Sequence, residues 1–539
     1  MAKALKNRAS KQVYISALQP VLSGFETPFC KQLNPTNRWV VLANKIPWDE
    51  LVNVYLRRMG NHQTGADGIN PRVVIGSLII KHICDLSDRE TVQQIQENMY
   101  MQYFIGYSSF SDEVPFDPSL FVEFRNRLGV DQINAINEKI LGLSQERTNQ
   151  SKSKQDDGPP DQNAASPEKE QATTTSEQST PPERQRDAPP THQGKMIVDA
   201  TACPQDIRYP TDLNLLNDAR EKSEELIDFL YPPSIEIIKP RTYRKKARKV
   251  FLKTAQKKTK SKKEIRNAIK RQLGYLRRNI KSIHMLLDHY ETMPFDERQL
   301  KYFFVIQTLF EQQAKMHQEK SHSIEHRIVS IHQPHVRPIV RGKTNANVEF
   351  GSKIQVSLMN GFAFLEDLSW EAYNEGTRLI KAVEQYKKRF GYYPQEVLAD
   401  KIYCSRVNRA KLKELNIMLK AKPLGRPRAV ETKHVRPGER NPIEGKFGQA
   451  KTAYGMNRIK ARLQGTSESW IATIIMVLNL VKLTREVPYY LYIKCFTYSA
   501  RCAQKLISKT NQWIGIIRGI RNEKICSFYL FSRPYLHKE

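Results

Sequence analysis

Three acidic side chains fall where a folded sheet could bring them together. The apolar segment 196–202 is typical of a short buried strand, and we expect Asp199 to sit at the end of that strand. Asp400 follows the strand-like segment EVLA, and Glu444 lies near the start of a helix that follows a basic loop. Two acids at strand ends and one on a facing helix could hold two divalent cations about 3.5–4 Å apart. Carboxylate oxygens suit Mg²⁺ or Mn²⁺, so the set predicts phosphodiester chemistry.

Each acid also has a non-catalytic interpretation, and the chain has 56 Asp and Glu residues from which any three can be chosen. Asp199 and Asp400 could accept hydrogen bonds from amides of their own turns, or Asp400 could cap a helix. For Glu444 the alternative is the return arm of a capping box that begins at Asn441, with Pro442 as the first helical residue.

Two basic residues accompany Glu444. Arg440 lies in the turn before it, and Lys451 lies seven positions after it, on the same face of the predicted helix. Both are candidates to neutralise phosphates. The glycines at 445 and 448 cost this helix about 1 kcal/mol each relative to alanine, which a close approach to DNA or to another element would explain.

Other chemistries have weak sequence support. The chain has no G-x-x-x-x-G-K-[ST] motif, which argues against an ATP-driven activity, and no H-E-x-x-H motif for zinc. His82, His332 and His335 have no ligand-like neighbours, so we interpret them as core or surface residues. The seven cysteines are scattered and form no C-x-x-C pair, which argues against a disulfide framework and against a thiolate zinc site.

The charge of the chain indicates a polyanionic partner. The net charge is +30, and residues 239–281 contain 19 Lys or Arg but one acid, Glu264. Repulsion at this density would destabilise a free surface, although a solvated charged face is the alternative. Phosphate contacts dominate nucleic-acid affinity without reading sequence, so this segment is predicted to grip the DNA backbone. Its proposed contacts are Arg244, Lys245, Lys246, Arg248, Lys249, Lys262, Lys263, Arg277 and Arg278.

A second candidate for DNA contact is the segment Gly425-Arg426-Pro427-Arg428, which could lie in an A·T-rich minor groove. A plain surface loop is the more frequent origin of such a short match.

Composition divides the chain into units. Residues 147–195 contain seven prolines and no Val, Ile, Leu, Met, Phe, Trp, Tyr or Cys, which predicts a disordered linker. Residues 1–146 before it carry helix-cap signals at Asn70-Pro71, Ser87 and Asp117-Pro118, and are predicted to form a helical domain for DNA binding or dimerisation; a purely scaffolding bundle remains the alternative.

The rest of the chain predicts a mixed sheet with flanking helices. Strands are expected at 196–202, 327–340, 353–358, 362–365, 396–399 and 417–420, with helices at 372–390 and 405–415. Residues 213–320 are predicted as a basic helical insertion between the first and second strands, so the catalytic core comprises 196–212 and 321–484. No role is assigned to residues 485–539.

Membrane insertion is not expected. The most apolar run, residues 470–481, is shorter than the roughly 20 residues a span needs, and it contains Asn479. The N-terminus has no apolar stretch followed by a cleavage site, so no secretion signal is predicted. A soluble protein of a reducing compartment is expected.

Several motifs resemble the DDE transposases of bacterial insertion sequences. VDAT (198–201) followed by YPTDLNLLNDAR (209–220) resembles the first family signature, and ADKIYCSRVNRAKLKELNI (399–417) resembles the second. Arg440, Glu444 and Lys451 have the spacing of the family's Tyr-(2)-Arg-(3)-Glu-(6)-Lys pattern, with Pro437 in place of the tyrosine. NVEFGSKIQVSL, WIATIIMVLNLVKL and the FRNRLG ending of the N-terminal unit are also similar, so the resemblance runs from about residue 40 to 485.

The resemblance implies an RNase H-like core in which Asp199, Asp400 and Glu444 bind two Mg²⁺ (or Mn²⁺) ions. One ion would activate water to cut the end of the element, and the other would stabilise the leaving 3′ oxygen before the freed 3′-OH attacks target DNA. Arg440 and Lys451 would neutralise phosphates. A homodimer or larger assembly on paired terminal inverted repeats is implied, in the bacterial cytoplasm with the nucleoid. The alternatives are a catalytically silent descendant that still binds inverted repeats, and an RNase H-like nuclease that acts on RNA.

Overall fold

A computed structural model describes residues 16, 27–29, 33–57, 68–153, 192–231, 238–343, 346–421 and 438–485, except for the side chains of 143–153, 341–347 and 485. The predicted linker lies mainly outside these residues, but its two ends do not. Residues up to Ser153 continue a helix, and Lys195 begins the first strand.

Helices make up the described N-terminal part, and side chains cap four of them. The cap predicted at Asp117-Pro118 is wrong, because the helix there begins at Leu120 after Ser119, and Asp117 accepts from the Ser119 amide instead. Asn70 accepts a hydrogen bond from the Arg72 amide ahead of Pro71, and Ser87 and Glu90 form the predicted capping box. The Ser87 cap predicts a helix through about Tyr100, but the helix ends at Glu97, because Asn98 adopts an extended conformation and caps a new helix. The seven helices are α1 (Arg38–Lys45), α2 (Trp48–Leu56), α3 (Pro71–Ile83), α4 (Asp88–Glu97), α5 (Met99–Ile105), α6 (Leu120–Arg127) and α7 (Val130–Ser153).

The centre of the fold is a mixed six-stranded sheet. Strand β3 pairs antiparallel with β1 along one edge, and with β2 and then β4 along the other. The short strands β5 and β6 extend the sheet in parallel beyond β1, in the order β2-β3-β1-β5-β6. The strands are β1 (Lys195–Pro204), β2 (Arg337–Lys343), β3 (Ala346–Met359), β4 (Phe362–Ser369), β5 (Glu396–Leu398) and β6 (Met418–Lys420).

Several predicted elements of this part have different boundaries. The strand expected over 353–358 extends over Ala346–Met359, and the one expected over 362–365 extends over Phe362–Ser369. The strand expected over 327–340 begins only at Arg337, because the preceding residues form turns such as the one in which the Val336 amide donates to the Gln333 carbonyl. The helix expected from residue 372 begins at Leu379, after a separate 3₁₀ turn, Glu375–Arg378.

Four helices lie in the chain between β1 and β2. Apolar residues of three of them, including Leu216, Leu276 and Ile306, form one buried cluster. The basic segment therefore carries a buried apolar stripe on one side and exposed cations on the other. The helices are α8 (Asp212–Leu230), α9 (Arg244–Ala255), α10 (Lys262–Leu287) and α11 (Glu297–Glu319).

The remaining helices cover the sheet and carry the last motifs. They are α12 (Leu379–Phe390), α13 (Arg406–Glu414), α14 (Asn441–Ala453) and α15 (Gln464–Arg485), with a 3₁₀ turn at Lys401–Tyr403. Among the described residues, 464–484 is the one stretch long and apolar enough to cross a membrane, and 78% of its most apolar window is buried inside the protein. The helix is thus longer than the apolar run seen in the sequence, and its burial is typical of a core helix.

Helix α15 also packs against the N-terminal helices. The Trp470 ring lies edge-on to the His82 ring, 4.9 Å between centroids, and the Lys81 ammonium and the Arg125 guanidinium lie 4.7 and 5.5 Å from the Trp470 ring centroid. Farther along, Asn479 Nδ2 donates to Asn137 Oδ1 at 2.8 Å. Buried contacts therefore join the N-terminal helices directly to the part of the fold that carries the sheet.

Candidate active site

Asp199 lies in the middle of strand β1, directly after the buried Val198. Its side chain is 17% exposed, and its Oδ1 accepts a hydrogen bond from the Ala200 amide at 2.9 Å, as the non-catalytic interpretation expected. Its Oδ2 lies 3.0 Å from Arg440 Nη2. Burial raises the pKa of the Asp199 carboxyl, while the Ala200 amide and Arg440 oppose this shift.

Asp400 follows the neighbouring strand and contacts the same guanidinium, that of Arg440. It follows β5, which pairs in parallel with β1 so that Leu398 lies opposite Ile197. The end of β5 therefore lies beside the middle of β1, and the prediction that Asp199 ends its strand is wrong, because β1 continues to Pro204. The Asp400 side chain is 56% exposed, makes no capping hydrogen bond to the 3₁₀ turn that it precedes, and lies with its Oδ1 3.1 Å from Arg440 Nη1. The predicted proximity of the first two acids therefore agrees with the geometry.

Arg440 is the residue that connects the two acids. It lies at the N-terminus of α14, which is anchored by the fully buried side chains of Ile443 and Ala450. One guanidinium thus bridges Asp199 and Asp400, as a bidentate fork can. The sequence led us to expect Arg440 near a phosphate, whereas here it balances the charge of the carboxylates.

Glu444 lies one helical turn after Arg440 and is exposed. The capping-box alternative is not observed, because Arg440 rather than Asn441 is the N-cap and no side chain caps the helix. Lys451 lies in the last turn of α14. No group of three or more His, Cys, Asp or Glu residues in the described part of the chain is placed to hold a metal ion.

The donor chemistry nevertheless fits a divalent cation. Asp199 and Asp400 converge on a single positive charge, the Arg440 guanidinium, and their hard oxygens are the ligands that Mg²⁺ and Mn²⁺ prefer. Glu444 is placed by the same helix that carries Arg440.

The sequence motifs did not single out Glu375, Lys353 or Tyr403. Glu375, on the 3₁₀ turn before α12, forms an ion pair with Lys353 of β3 at 2.8 Å and raises the pKa of Asp199. Tyr403 follows Asp400 and is fully buried. Glu375 lay inside a segment that the pattern predicted as continuous helix, so nothing indicated that it would approach the site.

The basic helices α9 and α10 form a separate charged surface. Arg244 is held by Asp228, 2.6 Å away, and lies 3.7 Å from Glu224. The ring of Tyr243 lies within 6.0 Å of cationic groups of Arg278 and Lys246. All nine predicted DNA contacts in this segment are exposed. The candidate minor-groove segment, residues 425–428, lies outside the described residues.

Two parts of the chain match known domain families. Residues 28–127 match a family described as Transposase domain (DUF772), and residues 397–481 match one described as Transposase DDE domain. The first match covers most of the N-terminal helices, and the second includes Asp400, Arg440, Glu444 and Lys451. Asp199 lies outside both matches.

One curated protein is similar to part of the chain. It is described as "Uncharacterized protein ORF8 in nfe locus" from Rhizobium meliloti, and it is 36% identical over 100 residues, which is 18% of this chain. The chain spans about half the length of that relative, 46%. No solved structure matches the chain. The two domain matches confirm the resemblance to insertion-sequence DDE transposases that the motifs indicated.

Proposed function

We propose that this chain is a DNA transposase of an insertion sequence, which binds terminal inverted repeats and catalyses metal-dependent strand cleavage and strand transfer. The observation that supports this most directly is the convergence on Arg440 of Asp199, in the middle of β1, and Asp400, which follows the adjacent strand β5. Asp400 and Arg440 both lie in the segment that matches the Transposase DDE domain.

In this proposal Asp199, Asp400 and Glu444 hold two Mg²⁺ or Mn²⁺ ions. Bound divalent cations would supply activation of the attacking oxygen and charge stabilisation at the leaving 3′ oxygen. The protein would contribute the rest by position: β1 and the turn after β5 hold two carboxylates beside Arg440, and α14 would have to bring Glu444 to them. Water first cuts the phosphodiester at the element's end, and the freed 3′-OH then attacks target DNA.

Arg440 and Lys451 are proposed to neutralise phosphate oxygens of the bound strand. In the structure described here, Arg440 donates to Asp199 and Asp400, so this role requires the guanidinium to exchange the carboxylates for a phosphate. Such an exchange suits arginine, because its planar fork matches a phosphate as well as a carboxylate.

The surface of α14 supports the approach of DNA. A Cβ added at Gly445 or Gly448 would meet no atom of the described residues within 4 Å, so packing against the described fold does not require glycine there. The approach of a neighbouring described element is therefore not the reason for the two glycines. A close approach of the DNA backbone explains the cost that they impose on the helix.

We also propose that the sheet is an RNase H-like core. Three antiparallel strands, β1, β3 and β4, are followed by the parallel strands β5 and β6, with four helices between β1 and β2. The proposed unit boundaries are 1–146, 147–195, 196–212 with 321–484, 213–320, and 485–539. The basic insertion would hold the DNA backbone, and the N-terminal helices would recognise the ends.

The assembly is proposed to be a homodimer or larger complex on two paired ends, acting on DNA in the bacterial cytoplasm with the nucleoid. Two ends must be cut together for an element to move as one piece. One chain has a single candidate set of catalytic acids, so two ends would need at least two chains.

A strand-transfer assay tests the function. Inverted repeats flanking the coding region supply the substrate, which is mixed with the full chain, target plasmid and Mg²⁺. We expect labelled ends joined to the target. Binding to the repeats without cleavage indicates a silent descendant, and cleavage of RNA without joining of DNA ends indicates a ribonuclease; either result would contradict the proposal.

A further inference from the structure

A cleft of about 880 Å³ opens at the end of β1, beyond Asp199. It is bounded by residues 206–210 between β1 and α8, by the first turns of α8 and α11, by residues 329–333 before β2, and by the two residues before α15. Residues 206–210 include the start of the motif YPTDLNLLNDAR, to which the proposed catalysis gives no role. The cleft is therefore lined by a motif whose function is unassigned.

The ring of Tyr209 projects from this lining into solvent. Tyr209 is 69% exposed, and no Phe, Tyr or Trp in the described part of the chain is more exposed. The backbone on both sides is nevertheless fixed, because the Asp206 amide donates to the Ile459 carbonyl at 2.9 Å and Thr211 caps α8. The ring contacts Phe350 edge-on, with 5.5 Å between centroids. An exposed ring in a fixed position is what base stacking requires in proteins that bind single-stranded DNA.

Cations surround this ring. The lining contains five Lys or Arg residues and three acids. Arg298, Lys301 and Arg462 are exposed and form no ion pair with a carboxylate of the described residues. One of the acids, Asp206, is already neutralised by Arg458, which lies 3.0 Å away. The cleft thus has a positive charge that complements a phosphate chain.

The chain that follows α14 connects the cleft to the candidate active site. Ile459 pairs with Gln205 directly after β1, so the segment between Glu444 and Arg462 passes the end of that strand. Gln205 lies six positions after Asp199, a distance of at most about 20 Å at roughly 3.3 Å per residue. A B-form strand advances about 3.4 Å per nucleotide, so a strand that crosses the acids would reach the cleft after about six nucleotides.

We propose that this cleft binds single-stranded DNA next to the cut phosphodiester, with one unpaired base stacked on Tyr209. Arg298, Lys301 and Arg462 contact the phosphates of the same strand. A base within a duplex is stacked on both sides and cannot accept the ring, so the cleft selects an unpaired strand. This inference rests on the proposed function, because cleavage of DNA is what brings a strand to the acids beside β1.

Fluorescence anisotropy with the full chain, in EDTA so that no strand is cut, tests the stacking. The probes are a labelled oligothymidylate and an abasic strand of the same length, because phosphate contacts contribute equally to both. The wild type should bind the oligothymidylate more tightly. Tyr209→Ala should weaken that binding at least about fivefold and leave the affinity for the abasic strand within about twofold.

Two matched variants control this experiment. Tyr209→Phe keeps the ring and should bind both probes as the wild type does. Phe304→Ala removes another exposed aromatic ring, 56% exposed, which lies on α11 but does not line the cleft, and it should also bind both probes normally. An unchanged preference for the oligothymidylate in Tyr209→Ala, or an equal loss in Phe304→Ala, would overturn the inference.

The cations are tested by a second measurement, which also decides the question if Tyr209→Ala does not fold. Combined Lys301→Gln and Arg462→Gln should weaken binding to both probes alike. The slope of log K against log salt should become shallower by about 0.7 for each phosphate that is no longer neutralised in a single strand. An unchanged slope would overturn the inference.

Binding of the wild-type chain to inverted-repeat duplex in the same buffer separates this inference from the proposed function. Duplex binding without a preference for oligothymidylate over the abasic strand would overturn the inference alone. Absence of binding to the duplex and to both single strands would overturn the proposed function as well.

Discussion

At the scale of single residues, the site is organised by one guanidinium that serves two acids. Asp199 and Asp400 were predictable as neighbours because both belong to apolar strand segments. The reason differs from the predicted one, because Asp199 lies in the middle of β1 and the parallel pairing with the shorter strand β5 brings Asp400 beside it. The bridge by Arg440 was not predictable, because it depends on how α14 packs against β1. Arg440 lies 241 residues after Asp199 in the chain. Sequence spacing carries no information on contacts of that range.

A pH measurement tests a titratable residue outside the site, the half-buried His335. Its ring lies edge-on to Trp370, 4.4 Å between centroids, and burial, followed by the charges of Lys301 and Arg337, lowers its pKa to about 4. The unfolded chain, with a histidine pKa near 6.5, then binds more protons than the folded chain between about pH 6.5 and 4. The contribution of neutral His335 to stability is therefore complete above this window and declines as the pH falls through it.

We expect the unfolding temperature of His335→Gln to fall less steeply than that of the wild type on acidification from pH 7 to 4, measured by calorimetry. His322→Gln changes an exposed histidine and should follow the wild-type curve. Parallel curves for His335→Gln and the wild type would contradict the assignment of His335 as a half-buried neutral histidine.

At the scale of elements, helix caps and strand patterns predicted most of the architecture. The caps at Asn70 and Ser87 and the helical content of residues 213–320 were confirmed. The errors lie where a predicted helix includes residues that interrupt it, namely Asn98, which caps a new helix, and residues 375–378, which form a 3₁₀ turn. A 3₁₀ turn and the helix after it share nearly the same periodicity, so only the tertiary contacts of Gly376 reveal the boundary.

The basic helices give a prediction at this scale. Deletion of residues 239–281 would remove Leu273 and Leu276 from a buried cluster, so side-chain replacement is the better experiment. Neutralisation of four exposed cations (Lys245, Lys249, Lys262 and Lys263) to glutamine should weaken binding to all duplexes alike. The slope of log K against log salt should become shallower by about 0.9 for each DNA phosphate that the protein no longer neutralises.

The control neutralises four exposed lysines of α12 and α13: Lys387, Lys388, Lys411 and Lys413. Net charge changes equally in the two proteins, so a general charge effect would alter both salt slopes alike. The same salt slope in both variants would contradict the assignment of α9 and α10 as a backbone-binding surface. So would a loss of affinity for one DNA sequence alone.

At the scale of the whole molecule, the N-terminal helices pack against the helix that follows the site. Trp470 lies against His82, Lys81 and Arg125, and Ser469 Oγ donates to the Leu128 carbonyl at 2.6 Å. The sequence predicted a helical unit followed by a linker but not this packing, because it joins residues about 340 positions apart.

A chain cut within the predicted linker should therefore stay together. A protease site introduced between residues 160 and 180 is expected to give two fragments that co-elute in native buffer and separate in denaturant. Trp470→Ala should lower the free energy of unfolding by about 3–5 kcal/mol, the usual cost of truncating a buried tryptophan, and weaken the association. Independent elution of the fragments in native buffer would contradict the described packing.

The central claim, that Asp199 and Asp400 carry metal-dependent DNA chemistry, is tested most directly by the single-turnover cleavage rate of Asp400→Asn on inverted-repeat DNA. We expect cleavage to fall at least about a hundredfold while DNA affinity stays within about twofold, and Asp131→Asn, an exposed acid of α7, to cleave normally. Cleavage by Asp400→Asn at the wild-type rate would remove Asp400 from the active site and contradict the account.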